Sequence, residues 1–143
     1  MSILSIFDTE TASNKGATLT LLKPDTKEPA LFKDKPITIR LLGPDSDVYT
    51  KHIQAKSKEA RRNAAKGKKE SDLDFEKIKR EASELYANMV LSWDNMPTED
   101  GKSTLDFSKD AAMAIFMKYK DIRIQVGNFI GEQENFIEAS LKA

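Results

Sequence analysis

Residues 72–93 carry the feature that most restricts what this chain can fold into. Phe75, Ile78, Ala82, Leu85, Met89 and Trp93 recur at steps of three or four, and Tyr86 and Val90 widen the stripe. An α-helix stacks side chains three and four apart on one face. The spacing therefore predicts one long amphipathic helix that runs to Trp93 and forms the spine of the core. Ser71 and Asp72 are its expected start, since short polar side chains cap the free N–H groups of a helix. A spine of this kind needs neighbours to bury its apolar face.

The segments on either side supply them. After the loop DNMPTEDGKST, Asp106 or Ser108 is the expected cap of another helix, with Phe107, Ala111, Ala112, Ile115, Phe116 and Tyr119 on its apolar side. Ile122, Val126, Phe129 and Ile130 suit a further helix, although Ile122, Ile124 and Val126 also alternate as a strand would. Phe136, Ile137 and Leu141 place an apolar side on a last turn or two.

Upstream, ATLTLL (17–22) and PITIRLL (36–42) are rich in β-branched residues and read as two strands. Pro24-Asp25 fits a tight turn between them. Gly43-Pro44 ends the second run, and Asp45, Ser46 and Asp47 look like the cap of a helix over 46–70. The apolar side of that helix is thin, with only Tyr49, Ile53, Ala60 and Ala64. Residues 1–16 are expected to be a flexible arm, because their Ser, Thr, Asn and Gly content offers little to pack. The expected class is α+β. A small antiparallel β unit (17–45) precedes a basic helix (46–70) and a helical core (71–143), giving a single domain over 17–143 with three to four helices.

Charge and composition then narrow the function. The 143 residues have zero net charge, but residues 48–70 hold 8 basic and 2 acidic side chains, a local +6. Residues 71–143 hold 9 basic and 14 acidic side chains, a local −5. The chain has no cysteine, so disulfides and thiolate chemistry are excluded, and with one histidine the usual zinc sets are too. No run approaches the roughly 20 apolar residues that span a bilayer, and the short apolar run Ile3 to Phe7 lacks the basic start of a signal peptide. A soluble, intracellular protein is expected.

Candidate chemistry is sparse. If Gly101 took the sixth position of a calcium loop, Met96 and Phe107 would fall at the first and twelfth, where neither can bind the ion. The loop reads instead as a joint between two helices: Pro97 stops the first helix, Asp100-Gly101 turns the chain, and Phe107 opens the next apolar face. Any Ser-His-Asp arrangement would have to use His52, which sits among lysines, and no glycine-rich turn surrounds a serine. Neither GxxxxGK[ST] nor GxGxxG is present. These absences favour a protein that is not an enzyme and needs no cofactor.

What remains is binding. Lys56, Lys58, Arg61, Arg62 and Lys66 form a cationic cluster for an acidic partner. The same cluster can meet nucleic acid, although it lacks the aromatic side chains on which bases stack. Phe136, Ile137 and Leu141 are candidates for an apolar contact with another subunit or partner.

Three blocks carry a resemblance. They are PITIRLLGPDSDVYTKHI (36–53) leading into a basic helix, ELYANMVLSWDNM (84–96) with Trp-Asp at the loop, and DGKSTLDFSKDAAMAIF (100–116) leading into IRIQVGNFIGEQENFI (122–137). Over about 36–137 the chain resembles the small tail assembly chaperones of long-tailed bacteriophages. The resemblance implies a protein without catalytic activity that coats the long, mostly helical tape-measure protein. It keeps that protein soluble and leaves as tail tube subunits arrive. It further implies work in the host cytoplasm, absence from the finished virion, and contact with the tube protein or with further copies of itself. Two other classes stay open: a minor tail or connector subunit retained in the virion, and a nucleic-acid-binding protein using 56–69.

Overall fold

The computed structural model describes residues 3–67 and 74–142. Its architecture is α+β: one layer of antiparallel sheet with helices packed on one face. The two expected strands form and pair. Strand β1 (Ala17–Thr20) runs antiparallel to β4 (Thr38–Leu41), with Ala17 opposite Leu41 and Leu19 opposite Ile39. The turn at Pro24-Asp25 is present, and the Asp25 side chain accepts the Thr26 N–H at 2.8 Å. Between the two strands the chain also makes a short hairpin of β2 (Leu31–Phe32) and β3 (Lys35–Pro36). Its two-residue loop, Lys33-Asp34, has positive φ at both positions, 51° and 65°. That is the twist two-residue hairpin loops favour.

The predicted spine is shorter than its apolar stripe. Helix α3 spans Phe75–Met89, capped by the Asp74 side chain on the Lys77 N–H, while Ser71 and Asp72 lie outside the described residues. At Val90 the backbone turns extended, and β5 (Val90–Asp94) pairs antiparallel with β4. The sheet order is β1-β4-β5. Trp93 is therefore a strand residue opposite Ile39 rather than the last rung of a helix. The reason is local and tertiary together. Val-Leu-Ser-Trp suits a pleated strand, and the free edge of β4 offers it a ladder that the helix cannot. A register shift between Arg40 and Leu41 leaves Leu91 as the extra residue of a bulge.

The first half of the stripe faces solvent. Phe75 is 75% exposed and Ile78 49% exposed, whereas Ala87 and Met89 are buried. Helix α2 (Asp47–Ala65), capped by the buried Ser46, buries none of its own residues. It meets α3 through an ion pair between Lys56 and Glu81 at 2.9 Å. The two helices thus reach outward from the domain, and only the end of α3 and the first turn of α2, through Val48 and Tyr49, touch its core.

Helices α4 (Lys109–Lys118), α5 (Lys120–Gly131) and α6 (Gln133–Lys142) complete the chain. Ser108 caps α4 by accepting the Ala111 N–H at 3.0 Å. Only Tyr119, in an extended conformation, separates α4 from α5. Residues 122–130 are helical, which resolves the earlier ambiguity: Val126 and Ile130, four apart, enter the core, while Ile124 is exposed. The main core joins Ile39 and Leu41 of the sheet, and Ile37 just before β4, to Met89, Phe116 and Val126 of the helices. The opposite sheet face is polar, with Thr18, Arg40 and Ser92 in one row across the three strands. Antiparallel sheets commonly leave one face to water.

The expected flexible arm is ordered over its second half. Helix α1 (Thr9–Lys15), capped by Asp8, packs on α6, and Ala12, Ala17 and Phe136 form a second small core. Polar side chains tie this helix down as well. The Ser13 hydroxyl accepts the Asp45 N–H, the Ser13 carbonyl accepts the Gly43 N–H, and Asn14 accepts the Asp47 N–H. The Ser and Asn residues that made this stretch look loose are the ones that grip the start of α2.

Gly43 sits where these parts converge. A β-carbon there would lie 2.5 Å from the Ser13 hydroxyl and 2.8 Å from the Phe136 ring. Gly43→Ala is expected to destabilise the domain by about 1–3 kcal/mol, the usual cost of overpacking. Urea unfolding followed by circular dichroism checks this, and an unchanged midpoint would mean that α1 and α6 do not close on Gly43.

Candidate functional site: an apolar groove

The joint loop after β5 builds one wall of a groove. The Trp93 indole N–H donates to the Leu105 carbonyl at 2.8 Å, and its ring meets Phe107 edge-on at 5.1 Å between centroids. These contacts hold the far arm of the loop against the sheet. At its tip, the Asp100 carboxylate accepts the Thr98 hydroxyl at 2.6 Å and the Lys102 N–H at 3.0 Å, while Gly101 takes φ 71°. The hydrogen bond from Thr98, then that from Lys102, holds the Asp100 carboxyl below its usual range. Pro97 and Thr104 form an isolated bridge across the loop. The loop is a fixed miniature hairpin and does turn at Asp100-Gly101, but it joins strand β5 to α4 rather than two helices, and Pro97 pairs across it instead of ending a helix.

Opposite this wall stand α4 and the β2–β3 hairpin. Leu21, Ile37 and Met96 are buried beneath, Phe32 and Leu105 stand at the sides, and Ala111, Ala114 and Ile115 of α4 close the far side. The small side chains of Ala111 and Ala114 leave the width. The space within the groove is about 590 Å³, within the range of small-molecule pockets. Past Ile122 and Tyr119 it continues into a depression of about 420 Å³ bordered by Leu22, Pro24, Ala30 and Gln125.

Two side-chain amides pin the walls. The Asn95 amide donates to the Phe32 and Lys35 carbonyls, both at 2.8 Å, and so fastens the β2–β3 hairpin to the end of β5. Gln125 on α5 accepts the Leu22 N–H at 2.9 Å and donates to the Leu22 carbonyl at 2.8 Å, as a neighbouring strand would. Asp121 accepts a further bond from the same amide. An ion pair between Lys118 and Glu99 spans from α4 to the loop at the mouth. The hydrogen bond to Glu99 holds the Lys118 ammonium above the usual lysine range.

The surface so formed is apolar at its base and charged at its rim. The Thr98 hydroxyl is already bonded within the loop, which leaves Tyr119 as the other hydroxyl-bearing side chain of the main space. The groove thus suits apolar side chains presented by a peptide segment. Among the described residues no group of three or more His, Cys, Asp or Glu side chains is placed to hold a metal ion. His52 stands on α2 with the Tyr49 ring 6.4 Å away. No helix among the described residues is long and apolar enough to cross a membrane.

The residues singled out by sequence fall into three places, none of them in the groove. Lys58, Arg61, Arg62 and Lys66 are exposed on α2, with Lys58, Arg62 and Lys66 in steps of four along one side. Lys56 points the other way and is tied to Glu81 and Glu59. The Glu81 hydrogen bond holds its ammonium above the usual lysine range. Phe136 is fully buried against Ala12 and Ala17, so it closes this domain's own core and is not open to a partner. The cause is α1, which covers it. Ile137 is half-buried, and Leu141 is exposed.

Sequence reasoning missed the groove, although it placed Phe107, Ala111 and Ile115 on one helix side and put a turn at Asp100-Gly101. Asn95 and Gln125 gave no signal, because their partners lie about 60 and 103 positions away. Comparisons with family models, with curated proteins and with solved structures gave no match.

Asn95→Gly tests the pinning of the hairpin, since glycine keeps the positive φ of 62° without strain. Losing two hydrogen bonds is expected to lower stability by about 1–3 kcal/mol. The single tryptophan, Trp93, provides the fluorescence readout two residues away.

Proposed function

We propose that this protein is a non-enzymatic tail assembly chaperone of a long-tailed bacteriophage, which binds apolar stretches of the helical tape-measure protein and keeps them soluble. The observation that carries this reading is the apolar groove between the 95–105 loop and α4, held open by side-chain-to-backbone bonds at Asn95 and Gln125. An amphipathic helix recognised by a groove inserts a few apolar side chains spaced along one face. Ala111 and Ala114 provide room for them. A partner that waits for its tube subunits exposes such faces and aggregates through them. Many shallow contacts, each reversible, suit a coat that must later be displaced, and several copies on one client gain avidity.

The cationic side of α2 fits the same task. Lys58, Arg61, Arg62 and Lys66 project away from the core on a helix that buries nothing of its own. They offer acidic stretches of the client a second, salt-sensitive contact. In this reading the protein acts in the host cytoplasm, leaves the client as the tube protein arrives, and is scarce in finished particles.

The decisive experiment is co-expression with the large tape-measure candidate encoded nearby, followed by solubility and pull-down assays. The parent chain is expected to recover the client in the soluble fraction. Ala114→Glu places a charge in the groove at an exposed helix position, so it is expected to leave folding intact and abolish recovery. Equal recovery by both would exclude the groove as the client site. Mass spectrometry of purified particles separates a chaperone from a retained tail component, which would appear in fixed copy number.

The exposed row of cations also favours one other reading, a polyanion site for nucleic acid. Titration with DNA at two salt concentrations discriminates. Backbone contacts strengthen steeply as salt falls, so absence of binding at low salt excludes it. If binding occurs, neutralising Arg61 and Arg62 should flatten the salt dependence by about two counterions.

A further inference from the structure

We propose that the segment Ile3–Phe7 of one copy docks into the apolar groove of a second copy, so that the chains associate head to tail. The segment is a single 3-10 turn. Three residues per turn place Ile3 and Ile6 in one column and Leu4 and Phe7 in the next, with Ser5 on the remaining side. The two apolar columns make one broad face. That face is displayed to solvent: Ile3 is 76% exposed and Phe7 71% exposed. Contiguous apolar surface of this kind marks a site of association.

The receptor is the groove beside α4, whose volume and apolar lining suit a few bulky aliphatic and aromatic side chains. Charge agrees with this direction of docking. Asp8 and Glu10 follow the segment directly, and along the extension of the groove Lys23 and Lys120, neither in an ion pair among the described residues, outnumber Asp121. An acidic stretch entering behind the plug would meet them.

The segment does not serve its own groove. It leads into α1, which packs on α6 and Gly43 beside the Ala17 end of β1. Leu21, beneath the groove, lies past the other end of that strand, about 13 Å away at roughly 3.3 Å per residue. Plug and receptor are thus different surfaces at different places, which makes the contact heterologous. Such a contact repeats into a ring or an open helical row. The plug and the client would compete for this one groove, so the test uses the purified chain without client, where only self-association is read.

Sedimentation of the purified full chain over a concentration series tests it. The parent is expected to grow in mass with concentration beyond a dimer. Two variants remove one half of the contact each: Ile3→Glu with Phe7→Glu spoils the plug, and Ala114→Glu spoils the receptor. All three positions are exposed, and unchanged circular dichroism confirms that each variant folds. Each variant alone is expected to associate at least about tenfold more weakly than the parent, because a charge enters an apolar contact. Mixed together, they retain one intact plug and one intact receptor and should form a 1:1 pair that grows no further. A parent that stays monomeric at every concentration, variants that assemble as the parent does, or a mixture that stays monomeric would each overturn the proposal.

Discussion

Strand β4 has no free edge. β1 occupies one side and β5 the other, and Ile39 and Leu41 between them are fully buried. A buried strand must satisfy every backbone group from its neighbours, and β5 is the partner that completes it. That requirement draws Val90–Asp94 out of the helical course suggested by the apolar stripe, and much else follows. Once Trp93 lies in the sheet opposite Ile39, its indole reaches Leu105 and its ring reaches Phe107. The loop is thereby folded back along α4. Asn95, the first residue past the strand, is then in position to hold the small hairpin. The groove is a by-product of completing a three-stranded sheet.

The parts of this fold that rest on short-range periodicity were legible in the sequence. The α+β class, the β1–β4 pair, the helix through Phe75–Met89 and the Ser108 cap all follow from alternation, three-to-four spacing or a cap. What was not legible depends on distant partners. Val90 and Trp93 fit the helical stripe as well as a strand, and only the edge of β4 that β1 leaves unpaired decides between them. Helix α1 has an unpromising composition, yet Ser13 and Asn14 find backbone donors more than thirty residues on. Phe136 looked like a surface contact because its cover, α1, looked like an arm. The groove has no sequence signature, since its walls come from four separate stretches.

Two kinds of surface now stand apart in space. The apolar one lies among the loop, the small hairpin and the α4–α5 joint, where fixed backbone keeps it from collapsing. The cationic one lies along α2, which reaches beyond the core and is linked to α3 by Lys56 and Glu81. A chain with zero net charge can therefore still present a strongly positive limb. Separation of this kind lets apolar and electrostatic contacts respond to different conditions, since salt weakens only the second.

The placement of β5 also dictates an order of events during synthesis. Its pairing partner, β4, emerges early, but Val90–Asp94 follows only after all of α2 and α3 have been made. Until then the sheet that β5 completes has only β1 and β4, too few for independent stability in water. Residues Ile39 and Leu41 must stay unburied over that interval, and the domain can close only once its ninety-fourth residue has cleared the ribosome.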